Sequence, residues 1–196
     1  VTALAPLHHA FGVQRGVVAT LQAASGAGYP GVPSLDLIDN VIPFIGGEEE
    51  KIEAECRKLL GTLAANRIDD ADIALSAMVH RVPVLDGHLV AASLGFREPV
   101  DPAEAVAVLE SFRGSAVVTG LPSSPERPVE VDQRSDRPQP RLDRDRGRGM
   151  TVTVGRVRPC PIHHLRLVAL GHNLIRGAAG AAIQNAELVK ASGALN

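Results

Sequence analysis

"MVHRVPVLDGHLVAASLGF", residues 78–96, is the stretch on which the fold turns. Two β-prone runs flank Asp86-Gly87, a dipeptide suited to the left-handed positions of a tight turn, so the segment predicts a hairpin. Pro83 lacks a ladder donor and places the first strand at an edge or an irregularity. In an idealised two-residue hairpin Leu85 pairs with His88 and Arg81 with Ala92. Arg81 and His88 then project from one face, roughly 13 Å apart at about 3.3 Å per residue. A guanidinium and an imidazole so placed suit a small bifunctional substrate, one gripping an anionic group and the other moving a proton. The same spacing also fits an exposed arginine beside a turn histidine.

Outward from this stretch, residues 1–12 predict a helix closing at Gly12 and residues 16–23 a strand. "GGEEEKIEAECRKLLG", 46–61, predicts a helix with acids in its first turn and Ile52, Cys56, Leu59 and Leu60 on one face. Glu48 and Lys51 stand one turn apart there, an ion pair or an anion-and-ammonium site. Asp101 to Arg113 form a capped amphipathic helix with Val106, Leu109 and Phe112 on its buried side. Residues 122–149, rich in Pro, Arg and Asp, predict a long exposed connection whose charges nearly cancel. Strands over 150–157 and 163–173 and a helix over 176–192 close the chain. This order gives an α+β fold, a mostly antiparallel sheet with helices packed on one face.

Gly26, Gly28 and Gly31 in "QAASGAGYPG", 22–31, have the G-x-G-x-x-G spacing of a nucleotide-binding turn. That chemistry needs a helix to begin on the last glycine, and Pro30, Pro33 and Pro43 forbid one. The glycines instead let backbone approach a neighbour closely around Gln22 and Ser25. Hydrophobic residues make up 45% of the 196, ample for an aliphatic core, and a net charge of -2 gives no reason to expect nucleic acid or a membrane as partner. With two cysteines and no secretory cue, a cytoplasmic protein with reduced thiols is expected. Cys160, His163, His164 and His172 lack the paired spacing of a zinc site, so no metal is expected. Cys56 falls on an apolar helix face and Cys160 between two prolines without an evident base, so neither is expected to act as a nucleophile.

The motifs "LQAASGAGYPGVPSLDLIDNVIPFIGGEEEKIEAECRKLLG", "RVPVLDGH", "RPQPRLDRDRGRGMTVTVGRV" and "GHNLIRGAAGAAIQNAELV" occur in this order over nearly the whole chain. Together they resemble the aspartate-semialdehyde dehydrogenases of archaeal and fungal type. The resemblance implies an NADP-dependent enzyme that reduces aspartyl 4-phosphate to aspartate semialdehyde and phosphate, on the route to lysine, threonine and methionine. It implies a homodimer or homotetramer, of which this chain resembles only the catalytic and dimerisation half. Residues 1–15 then continue the helix that follows the family's nucleophilic cysteine, 16–172 form the catalytic and dimerisation domain, and 173–196 return to a nucleotide-binding domain. By the same resemblance His88 is the general acid/base and Gln22 orients the acyl intermediate. Arg81 holds the substrate carboxylate, Glu48 the amine and Lys51 the phosphate. Asn173, Gly177 and Gly180, with Ser25 and Gly26, lie on the cofactor side. His80, Leu89 and Val90 depart from the family's pattern around the arginine and the histidine. Without the cysteine or the nucleotide domain, the 196 residues alone are expected to be inactive. A malonyl-CoA reductase and a non-catalytic dimerisation module are the alternatives.

Overall fold

The computed structural model describes residues 1–194; the last two residues of the expected segment 173–196 lie outside the described residues. Helix α1 (Leu4–Phe11) leads into strand β1 (Val13–Gln22), which starts three residues earlier than expected. Short helix α2 (Ser34–Leu37) and helix α3 (Glu48–Leu59) precede a small ribbon, β2 (Thr62–Leu63) with β3 (Ile68–Asp69). Next come β4 (Ala74–Arg81), β5 (His88–Phe96), α4 (Pro102–Ser111), α5 (Ala116–Thr119), β6 (Val129–Asp132) and α6 (Pro140–Asp143). Strands β7 (Val152–Pro159) and β8 (Leu165–Gly171) and helix α7 (Gly180–Ala191) complete the domain.

The main sheet has the order β4-β1-β5-β8-β7-β6. Three of its five pairings are antiparallel, and β1 with β4 and β6 with β7 are parallel. The expected hairpin over 78–96 does not form. Strand β1 inserts between its two halves, so Arg81 pairs with Gln22 rather than Ala92, and His88 pairs with Gly171 of β8 rather than Leu85. The physical reason lies in residues 82–87. Pro83 cannot donate to a ladder, and the loop is sewn to the end of β1 by Val82 N–H to Gln22 O at 3.0 Å and Ala24 N–H to Val84 O at 2.7 Å.

The core is aliphatic, with Leu7, Leu94, Leu109, Leu165 and Val154 fully buried around Phe96. Helix α1 stops at Gly12, whose φ of 67° is the left-handed conformation that terminates helices. Asp101 caps α4 by accepting from Ala103 N–H at 2.7 Å. On α3, Cys56 and Leu60 are buried as expected, whereas Leu59 is exposed. Glu49 and Glu53 of that helix accept from Val79 N–H and Ala77 N–H, both at 3.0 Å. Their carboxylates thereby occupy the free donors of β4, the edge strand of the sheet.

Residues 122–149 are not the exposed connection that their composition suggests. They contribute β6 to the sheet and bury Asp143, which accepts from Arg137 at 2.7 Å and Arg146 at 2.8 Å. Arg146 also reaches Glu130 at 2.5 Å and Asp132 at 2.6 Å. Because the opposite charges meet side chain to side chain, a segment polar enough to dissolve packs instead as an ion-pair network.

Candidate active site

Gln22 ends β1, Arg81 ends β4 and His88 begins β5 opposite Gly171, so one end of the sheet gathers all three. After β1 the chain makes a single 3-10 turn, Ala24–Ala27, and Gly28 and Gly31 then adopt φ of 70° and 77°. No helix starts at Gly31; the glycine-rich stretch folds over the sheet end instead.

Gly26 sets the spacing of the two chemical groups. A Cβ at Gly26 would stand 2.9 Å from Arg81 Nη1, 2.9 Å from His88 Cε1 and 3.0 Å from His88 Nε2. Arg81 and His88, expected roughly 13 Å apart at their attachment points, therefore converge at their tips on one glycine. Arg81 is buried and donates from Nη1 to Ala23 O at 2.7 Å. Its pKa is lowered by burial, with the carboxylate of Glu48 acting in the opposite sense. Of the three consecutive glutamates, Glu49 is committed to β4, while Glu48 lies within the field of Arg81 and 3.6 Å from Lys51 Nζ.

His88 Nδ1 accepts from Ala23 N–H at 3.1 Å, so the neutral ring carries its proton on Nε2, on the side of Gly26 and Arg81. Burial first, and the positive charge of Arg81 second, push its pKa from 6.5 down to about 4. The free site thus holds a neutral imidazole at pH 7. Asn173 locks the surround: Gly87 N–H donates to its Oδ1 and its Nδ2 donates to Ser25 Oγ, both at 2.8 Å. Arg144 donates to Asp86 O at 3.1 Å and pins the same turn.

Behind His88 a cavity of about 390 Å³ opens between the sheet and helices α1 and α3. Val90, Ala92, Leu167 and Ala169 form its floor, and His172, Asn173, Arg176 and Gly177 one wall. Gly180 is not part of it; a Cβ there would lie 2.5 Å from Met150 Sδ, so this glycine serves helix packing. Gln22 is buried and donates to Thr20 Oγ1 at 3.3 Å. His172 and Arg176 are site-lining residues that sequence reasoning missed; their position one and three residues from Asn173 was the available signal.

The second histidine-rich region is separate. His163 Nδ1 lies 2.9 Å from Ser93 Oγ, which lies 3.0 Å from Cys160 Sγ, while His164 Nδ1 accepts from Phe96 N–H. Cys160 is thus not isolated from a base as expected, since Ser93 links it to His163. Among the described residues no cluster of three His, Cys, Asp or Glu side chains forms a metal site, and no helix is long and apolar enough to cross a membrane.

A buried arginine and a desolvated imidazole thus meet at one end of a mixed sheet, beside an apolar cavity. Residues 4–176 match the family model described as "Semialdehyde dehydrogenase, dimerisation domain". The chain is 55% identical over 172 residues to aspartate-semialdehyde dehydrogenase of Archaeoglobus fulgidus, an alignment covering 88% of this chain and 49% of that protein. It superimposes with a TM-score of 0.89 on a crystal structure of aspartate semialdehyde dehydrogenase with NADP from Candida albicans, at 40% identity, covering 97% of this chain and 55% of that one. Aspartate semialdehyde dehydrogenase II of Vibrio cholerae complexed with ASA gives a TM-score of 0.75 at 29% identity, covering 95% of this chain and 57% of that one. This chain belongs to the semialdehyde dehydrogenase dimerisation-domain family and spans about half the length of the relatives it matches.

Proposed function

We propose that this chain is the catalytic and dimerisation half of an aspartate-semialdehyde dehydrogenase that interconverts aspartyl 4-phosphate and aspartate semialdehyde. The observation that carries the reading is the convergence of Arg81 and His88 on Gly26. Arg81, fixed through Ala23 O, binds the substrate carboxylate with its free guanidinium N–H groups. His88 presents Nε2–H to the carbonyl oxygen of the bound acyl group and stabilises the charge that develops there. An anionic substrate on Arg81 offsets the positive charge that depresses the imidazole, raising its pKa and allowing it to exchange a proton near neutral pH. Lys51 binds the departing phosphate, Glu48 the substrate amine, and Gln22 orients the acyl group.

The residues present fit the nicotinamide end of NADP. The cavity beside His88 is apolar on its floor and polar along the wall of Asn173, Arg176 and Gly177, whereas no helix start is available at Gly31 for a pyrophosphate. NADP, when bound, supplies the hydride acceptor. Ser25 and Asn173, bonded to each other, hold that wall in place. The thiol nucleophile and the rest of the nucleotide site belong to a polypeptide of the relatives' length, so the 196 residues alone have no dehydrogenase turnover.

The reading includes a homo-oligomer. On the sheet face away from α1, Val17 is 40% exposed, Leu21 38% and Met78 52%. These apolar side chains of β1 and β4 suit burial against a second copy. The test is phosphate-dependent reduction of NADP by the complete polypeptide that carries this segment, supplied with aspartate semialdehyde. Turnover that is lost in His88→Ala supports the reading, and an inert complete polypeptide overturns it.

A further inference from the structure

Helix α3 is fastened antiparallel to the free edge of β4. Glu49 accepts from Val79 N–H, and Glu53, one helical turn later, accepts from Ala77 N–H, two residues earlier in the strand, both at 3.0 Å. The next edge donor, Arg81 N–H, goes to Ile42 O at 2.8 Å, and Ile42 N–H returns to Arg81 O at 3.0 Å. Two carboxylates and one backbone carbonyl thus take the outward N–H groups of residues 77, 79 and 81 in succession. The spacings match, because four helical residues rise about 6 Å and two strand residues about 6.6 Å.

The sequence of α3 offers this pairing once. Its glutamates stand at 48, 49, 50, 53 and 55, and only Glu49 and Glu53 are four apart, on one face of the helix. Turning the helix by one residue would set Ile52 with Glu48, or Ala54 with Glu50, against the strand; sliding it by one turn would bring Ile45 or Arg57 to a donor. Each alternative leaves an edge N–H without its carboxylate. Gly47, at the N-cap, gives the helix no side-chain hydrogen bond, so the strand rather than a cap holds its first turns. Rotation and height of α3 are therefore both fixed by the same two carboxylates.

Those turns also carry Glu48 and Lys51. With Glu49 committed to Val79, Glu48 lies within the field of Arg81 and 3.6 Å from Lys51 Nζ, while Arg81 ends the strand that the two carboxylates grip. We propose that Glu49 and Glu53 are positioning residues, which set through the N–H groups of β4 where Glu48 and Lys51 stand relative to Arg81. The inference rests on the reading of Glu48, Lys51 and Arg81 as substrate contacts.

The test uses the complete polypeptide, assayed for phosphate-dependent reduction of NADP with aspartate semialdehyde, as parent, Glu49→Ala, Glu53→Ala and Glu49→Gln. Each alanine variant is expected to raise KM for phosphate and for aspartate semialdehyde by about ten-fold, with kcat within about three-fold of the parent, because His88 is held by β5 and Ala23 rather than by α3. Glu49→Gln keeps an oxygen acceptor on a stem of the same length and should return both KM values to within about two-fold of the parent. Amide hydrogen exchange needs no turnover. It should be about ten-fold faster at Val79 in Glu49→Ala and at Ala77 in Glu53→Ala, with the amides of β5 protected as in the parent, which shows that the fold is retained. Unaltered KM values in active alanine variants, a loss of kcat alone, or a glutamine variant no better than alanine overturns the positioning role. Unchanged exchange at Val79 and Ala77 overturns the two-carboxylate attachment itself. An inert parent is a separate failure: it overturns the reading of Glu48 and Lys51 as substrate contacts, and the positioning role falls with it.

Discussion

Arg81 and His88 belong to strands that β1 keeps apart, yet Arg81 Nη1 and His88 Cε1 each stand 2.9 Å from the point that a Gly26 side chain would occupy. The space between the guanidinium and the imidazole is therefore defined by the missing side chain of a glycine on a third element.

Gly26→Ala should displace both tips without unfolding the domain, because the atoms it meets are the far ends of side chains. In the complete enzyme we expect kcat/KM to fall by about ten- to a hundred-fold, while stability in denaturant changes by less than about 1 kcal/mol. An active variant with unaltered KM would detach Gly26 from the site.

His88 should titrate at about 4 in the free chain, followed by NMR of its ring carbons and nitrogens. Arg81→Gln removes a charge that disfavours imidazolium, so the value should rise, though burial keeps it below 6.5. Between 6.5 and about 4 the unfolded chain takes up a proton that the folded chain refuses. The stability contributed by neutral His88 is therefore present above that window and lost as pH falls through it.

Kinetics of the complete enzyme should separate the two roles. His88→Ala is expected to lower kcat by about a hundred-fold or more with little change in KM. Arg81→Lys should mainly raise KM, by about ten-fold, because an ammonium cannot reproduce the planar fork that holds both Ala23 O and a carboxylate. Identical steady-state constants for either variant and the parent would remove that residue from the mechanism.

Asp143→Asn tests the network beneath the β6–β7 edge. Asp143 is 1% exposed and binds Arg137, Arg146 and the Gln139 N–H. Removing its charge leaves two arginines facing a neutral amide, and a loss of about 3 kcal/mol is expected in urea unfolding. A loss below a few tenths would mean that the network is surface decoration.

Val17→Asp and Met78→Asp place carboxylates on the apolar sheet face. Light scattering should show dissociation to monomer in either variant if that face is the oligomer interface; an unchanged assembly would move the interface elsewhere.

Much of this was legible locally. The helix over 48–59 announced itself by its acidic first turn and its apolar spacing, and α4 by Asp101 and Pro102. The prolines after Gly28 argued against a helix beginning on Gly31, and none begins there, although a single helical turn, α2, does form directly after Pro33. Arg81 and His88 could be singled out, but not their approach, because Asp86-Gly87 imitates a hairpin turn while β1 competes successfully for both flanking strands. Similarly, 122–149 has the composition of a solvated loop, and only the pairing of its arginines with Asp132 and Asp143 explains its burial.

By itself the sequence determined the longer helices and strands outside 122–149, the aliphatic core and the residues able to carry a charge or a proton, since these follow from neighbours a few positions apart. Tertiary structure decided which strand lies between Arg81 and His88, which of three glutamates faces the arginine, and which guanidiniums find carboxylates. Each of those depends on strand order and side-chain direction, and elements distant along the chain compete to set both. Burial then turns the resulting proximity into chemistry, because an imidazole and a guanidinium influence each other strongly only where the fold has removed the water between them.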